Sequence, residues 1–233
     1  VSASTNEGVL NATSHNFSEN GSFDFIATDL AGNSTTYTVI VNNIDKIKPK
    51  AEIASPVSGA HLRQTVLLKA SSEDNESGLS KVEFHSTNLG KIAEDVTVPY
   101  ELSWNTTLLP DGPQEISVKA YDRAGNQIQS VPQTIYIDNT APIITINSYN
   151  TAPTNQDITV IASTNEGTLN TTSHTFSDND SFEFIATDLA GNRTSYTVTI
   201  DNIDKIAPII TVGPYSTEPT NQDVIITAST DKG

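Results

Sequence analysis

Side-chain oxygens recur at regular places in this chain. Asp45, Asp138 and Asp204 each stand in a short segment leading to a proline, and Asp29, Asp122 and Asp188 each open a turn that closes on Gly-Asn. Glu7 and Glu166 repeat in Ser-Thr-Asn-Glu-Gly, and Glu73-Asp74-Asn75-Glu76 is the densest acidic cluster. Hard cations, calcium above all, take carboxylate and amide oxygens. Asp29, Asp45, Asp74, Asp122, Asp138, Asp188 and Asp204 are therefore candidate calcium ligands, although their spacing fits no EF-hand loop. The plainer reading is that Asp and Asn in turns hydrogen-bond their own backbone, and the sequence leaves both open.

Other chemistries find less support. The chain contains no Cys, which excludes disulfides, thiolate metal sites and thiol catalysis. His15 and His174 are equivalent copies beside Phe17 and Phe176, and no histidine has a second at zinc spacing. There is no Gly-x-Ser-x-Gly elbow and no Gly-rich phosphate loop. The evident acids lie in duplicated turns, whereas a catalytic acid pair needs one fixed geometry, so no enzymatic role and no organic cofactor are expected. Trp104 is a candidate sugar-stacking platform, with Tyr100 and Tyr121 near it; a lone Trp is also an ordinary core residue. Asn-x-Ser/Thr triplets recur, as composition alone would produce, and receive no role.

The formal net charge of −16 is spread over turns and strand ends, and the twelve basic residues form no run. Nucleic acid is thereby disfavoured as a partner, since phosphate recognition needs clustered Lys and Arg. No apolar stretch reaches membrane-spanning length, and 1–4 show no leader features. A cysteine-free, polar, acidic chain suits an exported protein, so an extracellular or cell-surface location is expected.

The elements that must position these groups are repeated. At an offset of 159, residues 1–49 match 160–208 at 36 of 49 positions, so one module is present twice. At an offset of 66, Ala207-Pro208-Ile209-Ile210-Thr211 repeats Ala141-Pro142-Ile143-Ile144-Thr145, which begins a third copy. The expected division is 1–46, a repeat without its opening strand; 47–140, a longer unit of different sequence; 141–206, one complete repeat; and 207–233, the start of another, stopping at the equivalent of Gly167. Signal, anchor and further copies are expected in a longer parent.

Within the complete copy, Phe182, Phe184 and Ala186 alternate with Glu183 and Thr187, the period-2 mark of a half-buried strand. After the turn at Gly191, Tyr196, Val198 and Ile200 alternate with small polar residues, predicting an antiparallel hairpin. The same hairpin is expected around Gly32 and Gly125, the latter joining Ile116 and Val118 to Ile135 and Ile137. Strands are also predicted at 143–146 and 158–162, with shorter ones at Leu169 and Phe176. Short strands without helical periodicity predict tandem all-β sandwiches. Each 66-residue unit buries only about 60% of its unfolded surface, so it is marginal alone.

The motif Thr187-Asp188-Leu189-Ala190-Gly191-Asn192, followed by Asp201-Asn202-Ile203-Asp204-Lys205-Ile206-Ala207-Pro208, resembles the end and linker of bacterial immunoglobulin-like repeats. In the middle unit Asp74-Asn75-Glu76-Ser77-Gly78-Leu79, Asp122-Arg123-Ala124-Gly125-Asn126 and Asp138-Asn139-Thr140-Ala141-Pro142 resemble another subfamily of them. The resemblance implies Ig-like β-sandwiches in a beads-on-a-string array, as occur in surface adhesins and secreted polysaccharide-degrading enzymes. It implies a non-catalytic stalk whose partners are its neighbouring repeats. The alternative is a middle unit, 47–140, that binds a glycan or a host or cell-wall surface. A third reading pairs the two ends of the chain between molecules, through 209–228; a window on a longer array accounts for the same ends more simply.

Overall fold

The computed structural model describes residues 1–231 and is all-β, with no helix among them. It divides into two compact units, Val1–Asn139 and Thr140–Gly233. The last two positions, including the Gly233 equivalent of Gly167, lie outside the described residues.

In the first unit, β1 (Val9–Leu10), β2 (Gly21–Thr28) and β3 (Ser34–Val41) form one sheet in that order. Phe25 is buried and Phe23 half-buried, while Ser22 and Asp24, which alternate with them, are exposed, as the two-residue period of a strand requires. Residues 1–5 run beside this sheet as a short edge held by the Ser2–Ser14 bridge and the Ala3 N–H to Thr13 carbonyl bond (2.9 Å).

The longer module follows with β4 (Lys50–Ser55), β5 (His61–Leu62), β6 (Thr65–Glu73), β7 (Leu79–Ser86), β8 (Gly90–Asp95), β9 (Glu101–Asn105), β10 (Gly112–Asp122), β11 (Gln127–Gln129) and β12 (Gln133–Ile137). Sheet β4-β6-β9 faces sheet β5-β12-β10-β7-β8, with β11 also on β10. Between them Leu68, Val82, Phe84, Ile116, Val118, Ile135 and Ile137 make the core. The hairpin expected around Gly125 divides in two: Tyr121 pairs Gln127 on β11, and only after the break at Ser130-Val131-Pro132 does β12 return to set Ile135 against Gln114. Proline cannot donate to a ladder, so the returning strand is interrupted there.

In the second unit, β13 (Ile144–Ile146), β14 (Ile158–Thr164) and β16 (Ser173–Phe176) form one sheet, and β15 (Thr168–Leu169), β17 (Asp180–Thr187) and β18 (Arg193–Ile200) form the other. Val160, Ala162, Phe176, Phe184, Val198 and Ile200 fill the space between, with Ile144, Ile146 and Tyr149 packed against them. Beyond it, β19 (Ile210–Val212) pairs with β20 (Ala228–Thr230).

Asparagine side chains complete this small fold by standing in for backbone. Asn170 donates to the Glu183 carbonyl (3.0 Å) and accepts from the Ile185 N–H (2.9 Å), and Asn11 does the same with Asp24 and Ile26. Asn179 holds Ile203 in both directions, as Asn20 holds Ile44. The recurrence of Asn in the sequence thus has a structural cause: unpaired backbone groups at sheet ends need partners.

Candidate metal centre at the first joint

The three Asp-to-Asn turns are built alike. In the complete repeat, Asn192 donates its backbone N–H to Asp188 Oδ1 (2.8 Å) and its amide Nδ2 to Asp188 Oδ2 (2.8 Å). Asn33 clamps Asp29 at 2.8 and 2.9 Å, and Asn126 clamps Asp122 at 2.7 and 2.8 Å. Gly32, Gly125 and Gly191 take positive φ in these turns, a conformation that costs other residues a steric clash. These hydrogen bonds, from the Asn33 side chain first, hold Asp29 below the usual carboxylate range. Each aspartate is therefore a turn-former in its own right.

Only one of the three meets further carboxylates. Asp45, on the segment leaving the first repeat, Asp74, in the loop after β6, and Asp122, at the end of β10, bring one oxygen apiece to within 4.8 Å of one another. Asp122 is almost fully buried and the other two are half-buried. Within each compact unit taken by itself, no other such group of three occurs among the described residues. Asp29, Asp138, Asp188 and Asp204 belong to no such group. Asp204 repeats the local half of the Asp45 geometry: it accepts the Ile206 N–H (2.9 Å) as Asp45 accepts the Ile47 N–H (2.8 Å).

The carboxylates are oriented by the middle module. Asp45 Oδ2 accepts the Ser77 N–H (3.1 Å), Asp74 Oδ2 accepts the Gly78 N–H (2.6 Å), and Asn126 Nδ2 also donates to the Asp45 carbonyl (3.1 Å). Ser77, with help from the Ile47 N–H, keeps Asp45 below its ordinary pKa, hence ionised near neutrality. Three oxygen-only donors from three segments suit a hard cation such as calcium in ligand type and in charge, and each oxygen retains lone pairs beyond the N–H it accepts. Sequence reading singled out all three residues, but not that these three converge.

The aromatic candidates are placed differently. Trp104 and Tyr100 are 6% and 7% exposed and belong to the core between the sheets, so neither offers a ring face to a sugar. That expectation is corrected by packing: Trp104 is paired with Val66 across β6 and β9 and points inward with it. Tyr121 lies on the outer face of its sheet, yet Lys81 and Lys119 ammonium groups sit 4.7 and 5.0 Å from its ring centroid. The ring face is engaged in cation–π contact.

Beside Tyr121 is a charge network the sequence did not disclose. Glu83, only 6% exposed, receives Lys81 (2.7 Å), Lys91 (2.9 Å), His85 (3.2 Å) and the Tyr121 hydroxyl (3.1 Å). Burial raises its pKa, but these four hydrogen bonds outweigh burial and bring it down to about 2. Its place between Val82 and Phe84 was the available signal: a charged residue framed by core residues faces away from the core and needs partners there.

The architecture is thus one of all-β modules, and the segment that enters the middle module is held to it through Asp45. Residues 49–118 match the family described as bacterial Ig domain. No curated protein matches the sequence. Among solved structures, the chain is similar to the fibronectin(III)-like modules of Clostridium thermocellum CbhA (19% identity, 67% of this chain and 95% of that one, TM-score 0.41). It is also similar to a tetra-tandem repeat in the extending region of a large adhesion protein (18% identity, 91% and 71%, TM-score 0.31).

Proposed function

We propose that this chain is a spacer region of a bacterial surface protein, non-catalytic and extracellular, in which calcium fixes the joint between residues 1–46 and the middle module. The observation that carries this reading is the meeting of Asp45, from the leaving segment, with Asp74 and Asp122 of the module it enters. A cation there ties the end of one module to the loops of the next, and a joint so tied transmits orientation along an array. Duplication of the module supports the spacer role, because repeated copies add length without adding a new site.

The residues Asp45, Asp74 and Asp122 would hold the ion, with Asn126 and Ser77 orienting them; the ion supplies charge neutralisation and no reaction. Calorimetric titration of the chain with calcium tests this, alongside small-angle scattering with calcium and then excess chelator. One strong site, lost in Asp74→Asn, together with a change in flexibility on chelation, is the expected result. No heat of binding at millimolar calcium would leave the acidic cluster as ordinary turn chemistry and remove the ion-fixed joint.

A further inference from the structure

Gly21 has no conformational or steric reason to be glycine. It opens β2 opposite Val41, its φ is not positive, and a Cβ built on it would meet nothing within 4 Å. The complete repeat has Asp180 at the same place, opposite Ile200, and forms the same hairpin. What the glycine changes is chemical. Asn20-Gly21 is the single Asn-Gly pair in the sequence, and a residue without Cβ leaves its backbone nitrogen unshielded and free to turn toward the preceding side chain.

Asn20 stands where a change in its amide matters. Its Oδ1 accepts the Ile44 N–H (2.8 Å) and its Nδ2 donates to the Ile44 carbonyl (3.0 Å), so it holds the segment leaving the first repeat, one residue before Asp45. Asn179 holds Ile203 in the same way, at 2.9 and 3.1 Å, but is followed by Asp180. Asn20 also lines an open cleft of about 400 Å³ with Glu19, Asp45 and Glu76. Lys46, the cation in that cleft, already donates to the Ser18 carbonyl.

We propose that Asn20 is a site of spontaneous deamidation and that the reaction releases this clamp. The Gly21 nitrogen attacks Asn20 Cγ. The N–Cγ bond forms, the Cγ–Nδ2 bond breaks, and Nδ2 leaves as ammonia with the proton from the Gly21 N–H. Water then adds to either carbonyl of the resulting succinimide and opens it to aspartate or isoaspartate. Attack starts from the opened clamp, because the paired amide is held on Ile44; Asn20 and Gly21 are both exposed, so opening needs only local motion. The product carboxylate has no N–H to donate, so it sets an oxygen against the Ile44 carbonyl where a hydrogen bond had been. It also adds a fourth acid to the cleft. The reaction requires no bound cation, and the first joint thereby carries a covalent timer that Asp180 slows in the complete repeat.

The native chain, incubated at mildly alkaline pH and sampled over days, carries its own control. Peptide mass spectrometry after digestion in mild acid should find Asn20 converted several-fold faster than Asn179, to a mixture of aspartate and isoaspartate. Gly21→Asp, which copies the complete repeat, should bring the rate at Asn20 down to that at Asn179. Asn20→Asp, which installs the product carboxylate directly, should lower the midpoint of thermal unfolding. Equal rates at Asn20 and Asn179, or a rate unmoved by Gly21→Asp, would overturn the site; an unchanged melt for Asn20→Asp would overturn the release of the clamp.

Discussion

The Asn126 side-chain amide donates to two aspartates at once, reaching Asp122 Oδ2 at 2.8 Å and the Asp45 carbonyl at 3.1 Å. A turn inside the middle module is thereby coupled to the segment that enters it. The equivalent amides of Asn33 and Asn192 clamp Asp29 and Asp188 in the same way.

Replacing Asn126 by Ala should leave the nearly buried Asp122 carboxylate short of its side-chain donor, the backbone N–H being kept, and free the Asp45 carbonyl. We expect a loss of about 2 kcal/mol, measured by urea denaturation followed at Trp104 fluorescence, since Trp104 reports on the core of the same module.

Asp45→Asn should weaken calcium binding by roughly tenfold or more, the scale on which changes around a metal act. Asp204→Asn, which alters a matching Asx turn outside the three-carboxylate group, should leave that affinity unchanged. Equal effects of the two variants in calorimetry would separate the cation from Asp45.

Glu83 supplies a pH dependence with a defined sign. Its pKa falls from 4.5 to about 2 on folding, so its stabilisation is full above the unfolded value and is lost as pH falls through the folded one. The melting temperature of the native chain should drop between pH 4.5 and pH 2 more steeply than that of Glu83→Gln, as thermal melts at stepped pH would show.

Gly167 is held at a φ of +67°, and a Cβ there would press on the Thr187 carbonyl. Gly167→Ala should destabilise the complete repeat by about 1–3 kcal/mol, the cost of strain in that region. Differential scanning calorimetry would detect the shift.

Trp104→Ala should cost about 3–5 kcal/mol through the cavity it leaves. A folded variant of near-native stability would mean that the ring contributes little to the core.

The repeat made much of the fold legible. The alternation of Phe182, Phe184 and Ala186 against Tyr196, Val198 and Ile200 predicted β17 and β18, which pair in that register with Phe184 opposite Tyr196. Short-range chemistry also identified the Asp-to-Asn turns. What stayed hidden depends on tertiary placement. Three of the aspartates open Asp-to-Asn turns and three stand at proline-marked joints, and nothing local says that Asp45, Asp74 and Asp122 converge while Asp29 is clamped by Asn33. Trp104 was ambiguous for the same reason: its side depends on the phase of β9 relative to β6. Asn11 and Asn170 looked like compositional noise because the backbone groups they satisfy lie 13 and 15 residues away.

The two ends of a module meet side by side. In the middle module β5, near the entry, pairs in parallel with β12, near the exit, setting His61 beside Tyr136 and Leu62 beside Ile137. In the complete repeat Thr154 makes the corresponding parallel bridge to Ile203, with N–H to carbonyl bonds of 2.9 and 2.8 Å to Asn202 and from Asp204. Tension applied at entry and exit therefore runs along these contacts and pulls the paired segments past one another. Their hydrogen bonds share the load in shear and must yield together, where an antiparallel pair pulled from one end would unzip bond by bond. In these two modules a load would thus be borne locally, at the place where chain enters beside chain that leaves.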